Sequence, residues 1–257
     1  MSENLDLLHN KKIGLALSGG AVRGLAHIGV IKALQEAGIK PAVVAGTSVG
    51  SIIGAALAAG MEWREMADMA CSVFWPRLLN GKTLEQFSAR YLPPTFERLA
   101  IRFAAVATVV SSNQWLAMTT GSLPSAISAS CAMRLVRRPV IRERLRLKDG
   151  GFSCVLPSQV CHDLGADVVI ASDVWEWSSL MRSLGYSPFE KKTTRAFPRH
   201  YRSALARTDI HIQPQIPLVG YVPRSSAVDQ MISVGERAAH RALRSVSKAH
   251  SDKKHQD

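Results

Sequence analysis

The chain has 257 residues, enough for one large α/β domain or two small ones, and a single core is the simpler arrangement. With 47% hydrophobic and 20% charged residues it has the make-up of a globular protein that buries a substantial core, and its near-zero mean hydropathy excludes a multi-span membrane protein. Lysine and arginine exceed aspartate and glutamate by 32 to 20, a net charge of +12, which favours anionic partners (phospholipid surfaces, nucleic acid, acidic substrates) without choosing among them.

Other features narrow the field. There is no module with placed base-reading residues and no aromatic stacking signature of an RNA-binding sheet, so no nucleic-acid partner is expected. The opening MSENLDLLHNKK lacks an apolar stretch followed by a cleavage site, so no secretory signal is expected and a cytoplasmic location is, at most peripheral to the inner face of the membrane. The longest candidate for insertion, Val49 to Ala59, is about half of the ~20 apolar residues a spanning helix requires. Cys71, Cys131, Cys154 and Cys161 have no metal-type pairing and read as reduced, buried thiols; no metal or other cofactor is implied.

After a polar lead-in, Lys12 to Leu17 (KIGLAL) is an apolar run suited to a buried strand. Ser18 to Gly24 (SGGAVRG) is a glycine-rich turn, and Leu25 to Ala37 has helical periodicity before Gly38 stops it. Strand, glycine loop and helix together admit two roles: cradling a phosphate, or presenting backbone N–H groups to an oxyanion. Ala21 breaks the G-x-G-x-x-G spacing from Gly19, and no G-x-x-x-x-G-K-[ST] follows, which weakens the first role. His27 on the following helix reads as a packed residue. Arg23 suits phosphate binding and bracing of the loop equally.

Pro41 to Ala45 is a second buried strand and Val49 to Ala59 a helix of small residues. Between them Gly46-Thr47-Ser48-Val49-Gly50 fits G-x-S-x-G, where a sharp strand-to-helix turn lifts a serine hydroxyl clear of the sheet. Gly46 and Gly50 are small because side chains there would collide with the neighbouring strand and helix. Ser48 also stands where unpaired N–H groups and the helix dipole favour negative charge. A plain N-cap serine is the competing reading; the strand and helix around it favour a nucleophile, and a nucleophile one βα unit after the glycine loop favours the oxyanion role for that loop.

Glu62 to Val73 is expected as a third helix, broken at Trp75-Pro76. A fourth runs from Thr83 to Tyr91 after the Asn80-Gly81 turn, and Leu99 to Thr108 is strand-like. Ser122 to Met133 is expected as a helix with Ser122 as cap and Pro124 in the first turn. Arg134, Arg137, Arg138, Arg142, Arg144, Arg146 and Lys148 follow, opposed only by Glu143 and Asp149. They read as solvated arginines, or as a surface that meets anionic headgroups. Asp149-Gly150-Gly151 is a turn. Pro157 to Leu164 is a helix and Asp167 to Ser172 a buried strand. From Asp173 to Arg207 aromatics (Trp175, Trp177, Tyr186, Phe189, Phe197, Tyr201) alternate with cations (Arg182, Lys191, Lys192, Arg195, Arg199, Arg202, Arg207), a composition that suits a membrane interface, a lid or packed edge helices. Thr208 to Gln213 alternates like an edge strand, Ala227 to Val246 is an amphipathic helix, and a polar tail closes the chain.

LSGGAVRGLAHIGVIKALQEAG, AGTSVGSIIGAALAAG and KDGGFSCVLPSQV with LGADVVIASDV, in that order, resemble the patatin-like phospholipases, especially the compact bacterial members related to neuropathy target esterase. The likeness runs from about Lys12 to Thr208. It implies an α/β, three-layer α/β/α patatin-like fold with a mostly parallel central sheet, with residues 12–246 as one hydrolase domain between a lead-in (1–11) and a tail (247–257). It also implies a serine–aspartate dyad: Ser48 as nucleophile and Asp149 as proton acceptor. Gly19, Gly20 and Ala21 would supply oxyanion N–H groups, with Arg23, Gly24, Gly46, Gly50, Gly150 and Gly151 supporting the motifs. The implied activity is hydrolysis of phospholipid or lysophospholipid esters through an acyl-enzyme, with peripheral association at an anionic membrane surface. Ala21 stands where the family usually has a third glycine, which is tolerable if φ there is negative. MRLVRRP and FSCVLP replace family segments on either side of Asp149 and leave the substrate open. Two other readings stand beside this one: a Ser-Asp-His esterase using His200 or His211, and a membrane-associated regulatory protein with a dormant hydrolase fold.

Overall fold

The computed structural model describes residues 8, 10–73, 75–133, 136–175, 177, 180–181, 184–186, 197–216 and 225–254. Arg134, Arg182, Phe189, Lys191, Lys192, Arg195 and the end of the tail, all singled out above, lie outside them.

Eight strands form one sheet: β1 (Ile13–Leu17), β2 (Val43–Thr47), β3 (Arg102–Val109), β4 (Trp115–Met118), β5 (Val140–Arg142), β6 (Leu145–Asp149), β7 (Val168–Ser172) and β8 (Ile210–Ile212). Their order is β5-β6-β3-β2-β1-β7-β8, with β4 paired to β3. The five strands from β3 to β8 in that order run parallel, whereas β4, β6 and β5 are added antiparallel at the β3 side. Strands β1, β2 and β7 are buried along their whole length, as runs such as VVAGT and VVIAS require when both faces are covered.

Strand alternation distributes these side chains to two cores. Leu15, Leu17, Val44, Phe103, Ala105 and Ile170 point to one face, where α1 (Ala26–Glu36), α2 (Val49–Ala58), α3 (Trp63–Cys71), α4 (Gly81–Tyr91), α5 (Leu123–Ser130) and the C-terminal helix contribute buried residues. Ala16, Val43, Ala45, Ala104, Val106 and Val169 point to the other, covered by α6 (Ser158–Asp163) and α7 (Arg199–Leu205). The result is a helix–sheet–helix sandwich. The C-terminal helix, α8 (Ser225–Lys254), crosses α1 so closely that a Cβ on Gly29 would lie 1.8 Å from Ile232 O and one on Gly235 would lie 1.9 Å from Ala26 O.

Several expectations need correction. α8 continues to Lys254, past the Val246 at which the apolar periodicity was expected to end. The basic run after α5, for which no secondary structure was expected, folds as a β-hairpin, β5–β6. The 173–207 stretch is in part core: Phe197 and Tyr201 are buried, and Tyr201 packs against both Trp175 and Phe197. Cys71 is exposed, unlike the buried Cys154 and Cys161.

Candidate active site

Ser48 sits between β2 and α2 with φ 53° and ψ −124°, a left-handed backbone that a serine adopts only under constraint, at a cost of about 1–3 kcal/mol. The constraint is close packing. A Cβ on Gly46 would lie 2.2 Å from Gly50 O, and one on Gly50 would lie 2.3 Å from Leu17 O, so only glycine lets strand and helix approach to this degree. Hydroxyls lock the turn: the Ser48 N–H donates to Ser130 Oγ (2.9 Å), Ser130 Oγ donates to Val106 O (2.6 Å), and Ser51 Oγ donates to Ser48 O (2.6 Å). Ser130 was not singled out from sequence; its signal, a serine in the small-residue run SAISAS, is common to any tightly packed helix.

Strand β6 brings the carboxylate. In register, Asp149 lies opposite Ala107 of β3 while Thr47 of β2 lies opposite Val106, so the end of β6 reaches the sheet edge from which Ser48 projects. Ser48 Oγ donates to Asp149 Oδ2 at 2.8 Å, and the Gly151 N–H donates to Asp149 Oδ1 at 2.8 Å. Thr108 Oγ1 donates to Asp149 O (2.9 Å) and holds the turn, and Gly150 fits because a Cβ there would lie 2.3 Å from Val106 O. Asp149 is 8% exposed, and burial raises its pKa from 3.8 to about 6 against the opposing influence of the Gly151 N–H, the Ser48 hydroxyl and the Arg137 guanidinium. Arg137 is no solvated surface arginine: it donates to Cys131 O (3.3 Å) and Ser128 Oγ (2.7 Å) at the end of α5.

The glycine loop faces the same turn but with fewer free donors than expected. The Gly19 N–H donates to Val155 O at 2.9 Å, so Gly19 anchors the loop, and the Gly20 and Ala21 N–H groups remain without an acceptor among the described residues. Ala21 has φ +49°, opposite in sign to the condition set for a tolerable alanine. The residue begins a 3-10 turn (Ala21–Leu25), and the left-handed backbone costs an alanine about 1 kcal/mol that glycine escapes. Arg23 is buried and its Nε donates to Val174 O (3.2 Å), which braces the loop; its Nη2 has no partner among the described residues. Gly24 lies where a Cβ would strike Val49 Cγ2 at 2.3 Å. Behind the loop His27 is fully buried between Ser172 Oγ (2.7 Å) and Ser18 O (3.0 Å), and burial lowers its pKa to about 4, so it is a neutral packing residue.

The histidines of the alternative triad lie elsewhere. His211 contacts Asp173 Oδ2 at 3.2 Å, in a network with Tyr201, and His200 Nε2 on α7 is buried without a hydrogen-bond partner among the described residues. Glu36, Glu236 and His240 can bring ligand atoms within 4.8 Å of one another, but the Lys32 ammonium already pairs with Glu236 at 2.8 Å.

Fold and site thus define an α/β/α protein with a serine at a strained strand-to-helix elbow, hydrogen-bonded to a buried aspartate. The profile of the patatin-like phospholipase family matches residues 15–90, which span the glycine loop and the elbow. The chain is 31% identical over 188 residues to lysophospholipase NTE1 of Coccidioides immitis and 32% identical over 187 residues to patatin-like phospholipase domain-containing protein 6 of Homo sapiens. These alignments take in 65% of the chain but only 12% and 14% of those proteins. VipD from Legionella pneumophila shares the fold, with a TM-score of 0.61 at 12% identity over 93% of this chain and 67% of that one. The type III effector protein ExoU does so with a TM-score of 0.50 at 15% identity over 92% and 53%. Over these segments the chain is similar to the patatin-like phospholipases.

Proposed function

We propose that the protein is a serine lipid acyl hydrolase that cleaves carboxylic esters of phospholipids or lysophospholipids through a Ser48–Asp149 dyad. The observation that carries this reading is the 2.8 Å hydrogen bond from Ser48 Oγ to the buried carboxylate of Asp149, made at the start of a helix and beside a loop with two N–H groups that have no acceptor among the described residues. Serine is a weak nucleophile near neutral pH and needs an acceptor at about 2.6–3.2 Å for its proton as the acyl bond forms. An ordinary aspartate is a poor acceptor; one raised to about 6 is a better base and is still ionised at pH 7.

In the proposed sequence Ser48 Oγ attacks the ester carbonyl carbon and its proton passes to Asp149 Oδ2. Gly20 and Ala21 donate to the oxyanion that forms, with the positive end of α2 behind Ser48. Collapse expels the alcohol, which takes the proton from Asp149. Water then attacks the acyl-enzyme, gives its proton to Asp149, and releases the fatty acid as Ser48 regains its hydroxyl. Losing one oxyanion donor typically costs about 10²–10³ in rate, so two donors account for a large share of the acceleration. The relatives named as lysophospholipases support this substrate class, as does the basic character of the chain.

The test is ester release from a panel of phospholipids and lysophospholipids by wild type, Ser48→Ala and Asp149→Asn. Turnover by wild type alone is expected; equal turnover by all three would end the reading. His200→Ala and His211→Ala should both retain turnover, which separates the dyad from a Ser-Asp-His triad.

A further inference from the structure

The β5–β6 hairpin carries a face for which the dyad has no use. Strand β6 runs antiparallel to β3 and ends at Asp149, so Leu145, at its start, stands beyond the carboxyl edge of the parallel strands. Four residues at ~3.3 Å each put Leu145 about 13 Å past the level of Asp149, on the side where the Ser48 elbow opens, with the hairpin tip beyond it. The tip is a two-residue connection, Glu143-Arg144, with φ 49° and 65°. Such turns favour Asn-Gly, and here the chain instead sets an exposed cation at the farthest point.

The two faces of the hairpin differ in kind. Val140, Arg142, Leu145 and Leu147 alternate to one side, where Arg142 donates to Ser122 O at 2.8 Å and Leu147 is fully buried. Ile141 and Arg146 stand opposite each other on the other side, with Lys148 two residues along. Ile141 is 73% exposed, the highest value among the described large apolar side chains, and Phe152, over whose ring the Lys148 ammonium lies at 4.8 Å, is also exposed. Arg138, Arg144 and Arg146 are exposed, and Glu143, the acid at the hairpin tip, pairs with Arg142 at 3.6 Å. An isolated exposed isoleucine would mean little. Apolar side chains set among exposed cations, on and beside the hairpin that ends in the proposed base, have the complementarity of an anionic lipid surface: cations for phosphate groups, and short apolar side chains for the headgroup–acyl boundary.

We propose that the β5–β6 hairpin is the element by which the protein docks on anionic phospholipid membranes, with Ile141 entering the interface and Arg144 and Arg146 meeting phosphates, so that the Ser48–Asp149 site opens at the lipid. The proposal deepens the lipid hydrolase reading and rests on it. Each cation near an anionic surface contributes about fivefold in partition. The experiment uses the full chain with vesicles of phosphatidylcholine alone and of phosphatidylcholine mixed with phosphatidylglycerol, together with a water-soluble short-chain ester. Wild type is expected to co-sediment with the mixed vesicles in a salt-sensitive manner. Arg144→Gln with Arg146→Gln should weaken that binding about 25-fold, and Ile141→Ser should weaken it even in high salt, while short-chain ester turnover stays at the wild-type level in both.

Variants that bind mixed vesicles like wild type, or a wild type without preference for them, would overturn the docking proposal and leave short-chain turnover, hence the dyad reading, intact. Absence of short-chain turnover in wild type would instead strike the dyad. β5 is also an edge strand, so sedimentation velocity is run on the same proteins: loss of a dimer in the variants with unchanged vesicle binding would assign the face to a second copy of the chain and refute the proposal.

Discussion

Replacing Asp149 by asparagine should abolish turnover and, at the same time, make the protein more stable. Burial lifts the carboxyl from 3.8 to about 6, which means that ionising it in the folded chain is harder than in the unfolded one. Below pH 3.8 it is protonated in both states and imposes no penalty. As pH rises, the unfolded chain releases its proton first, and stability falls until the folded group has also ionised near pH 6. At 1.36 kcal/mol per pH unit the loss reaches about 3 kcal/mol and is constant at higher pH. Asparagine keeps an oxygen for the Gly151 N–H and can meet Ser48 Oγ with its amide, but has no charge to bury. Urea unfolding of wild type and Asp149→Asn at pH 4 and pH 8 tests this. The variant should gain up to about 3 kcal/mol at pH 8, a midpoint higher by roughly 1 M, and little at pH 4. An equal difference at both values, or a variant less stable at pH 8, would refute a buried, strained charge at this position.

Other outcomes follow from the same geometry. With Asp149 as base, kcat/KM should rise about tenfold per pH unit up to about 6 and level off above it, read from a pH–rate profile. Arg137→Gln removes a positive charge that favours the ionised carboxylate, so the acid limb should move to higher pH, with Arg137→Lys restoring part of the difference. Ser130→Ala leaves the Ser48 N–H and Val106 C=O without their shared hydroxyl and should cost about 1–3 kcal/mol in denaturant unfolding, with a fall in turnover. Ala21→Gly relieves the left-handed alanine and should raise stability by about 1 kcal/mol in the same assay.

Much of this architecture is legible in the sequence because it is local. The apolar runs before Ser18 and Ser48, and the small residues after each, specify buried strands entering glycine turns, and the structure has β1 and β2 there. The β5–β6 hairpin was hidden by composition: its arginines dominate the reading, although Leu145, Leu147 and Asp149 already alternate with Arg146 and Lys148 as strand residues do. The four-residue β4 was missed because WLAM is too short to show a period and takes its place from pairing with β3. In the site, the meeting of Ser48 with Asp149 came from the family resemblance, since nothing local joins residues 101 apart. Gly19 was misjudged for a similar reason: its N–H is taken by Val155, far along the chain, and a motif cannot show which of its donors a distant carbonyl will claim. For Tyr201 and Phe197 the sequence left interface, lid and packed edge helix open, because aromatics among cations look alike in a membrane contact and in a helix whose other side is core; the structure buries both.

The central claim is that the Ser48 hydroxyl, activated by Asp149, attacks acyl carbon. A fluorophosphonate probe reports this directly: incubated with folded wild type and mapped by peptide mass spectrometry, it should form one covalent adduct on Ser48, slowed by at least about 10²-fold in Asp149→Asn. An unlabelled Ser48, or one labelled as fast without the carboxylate, would contradict it.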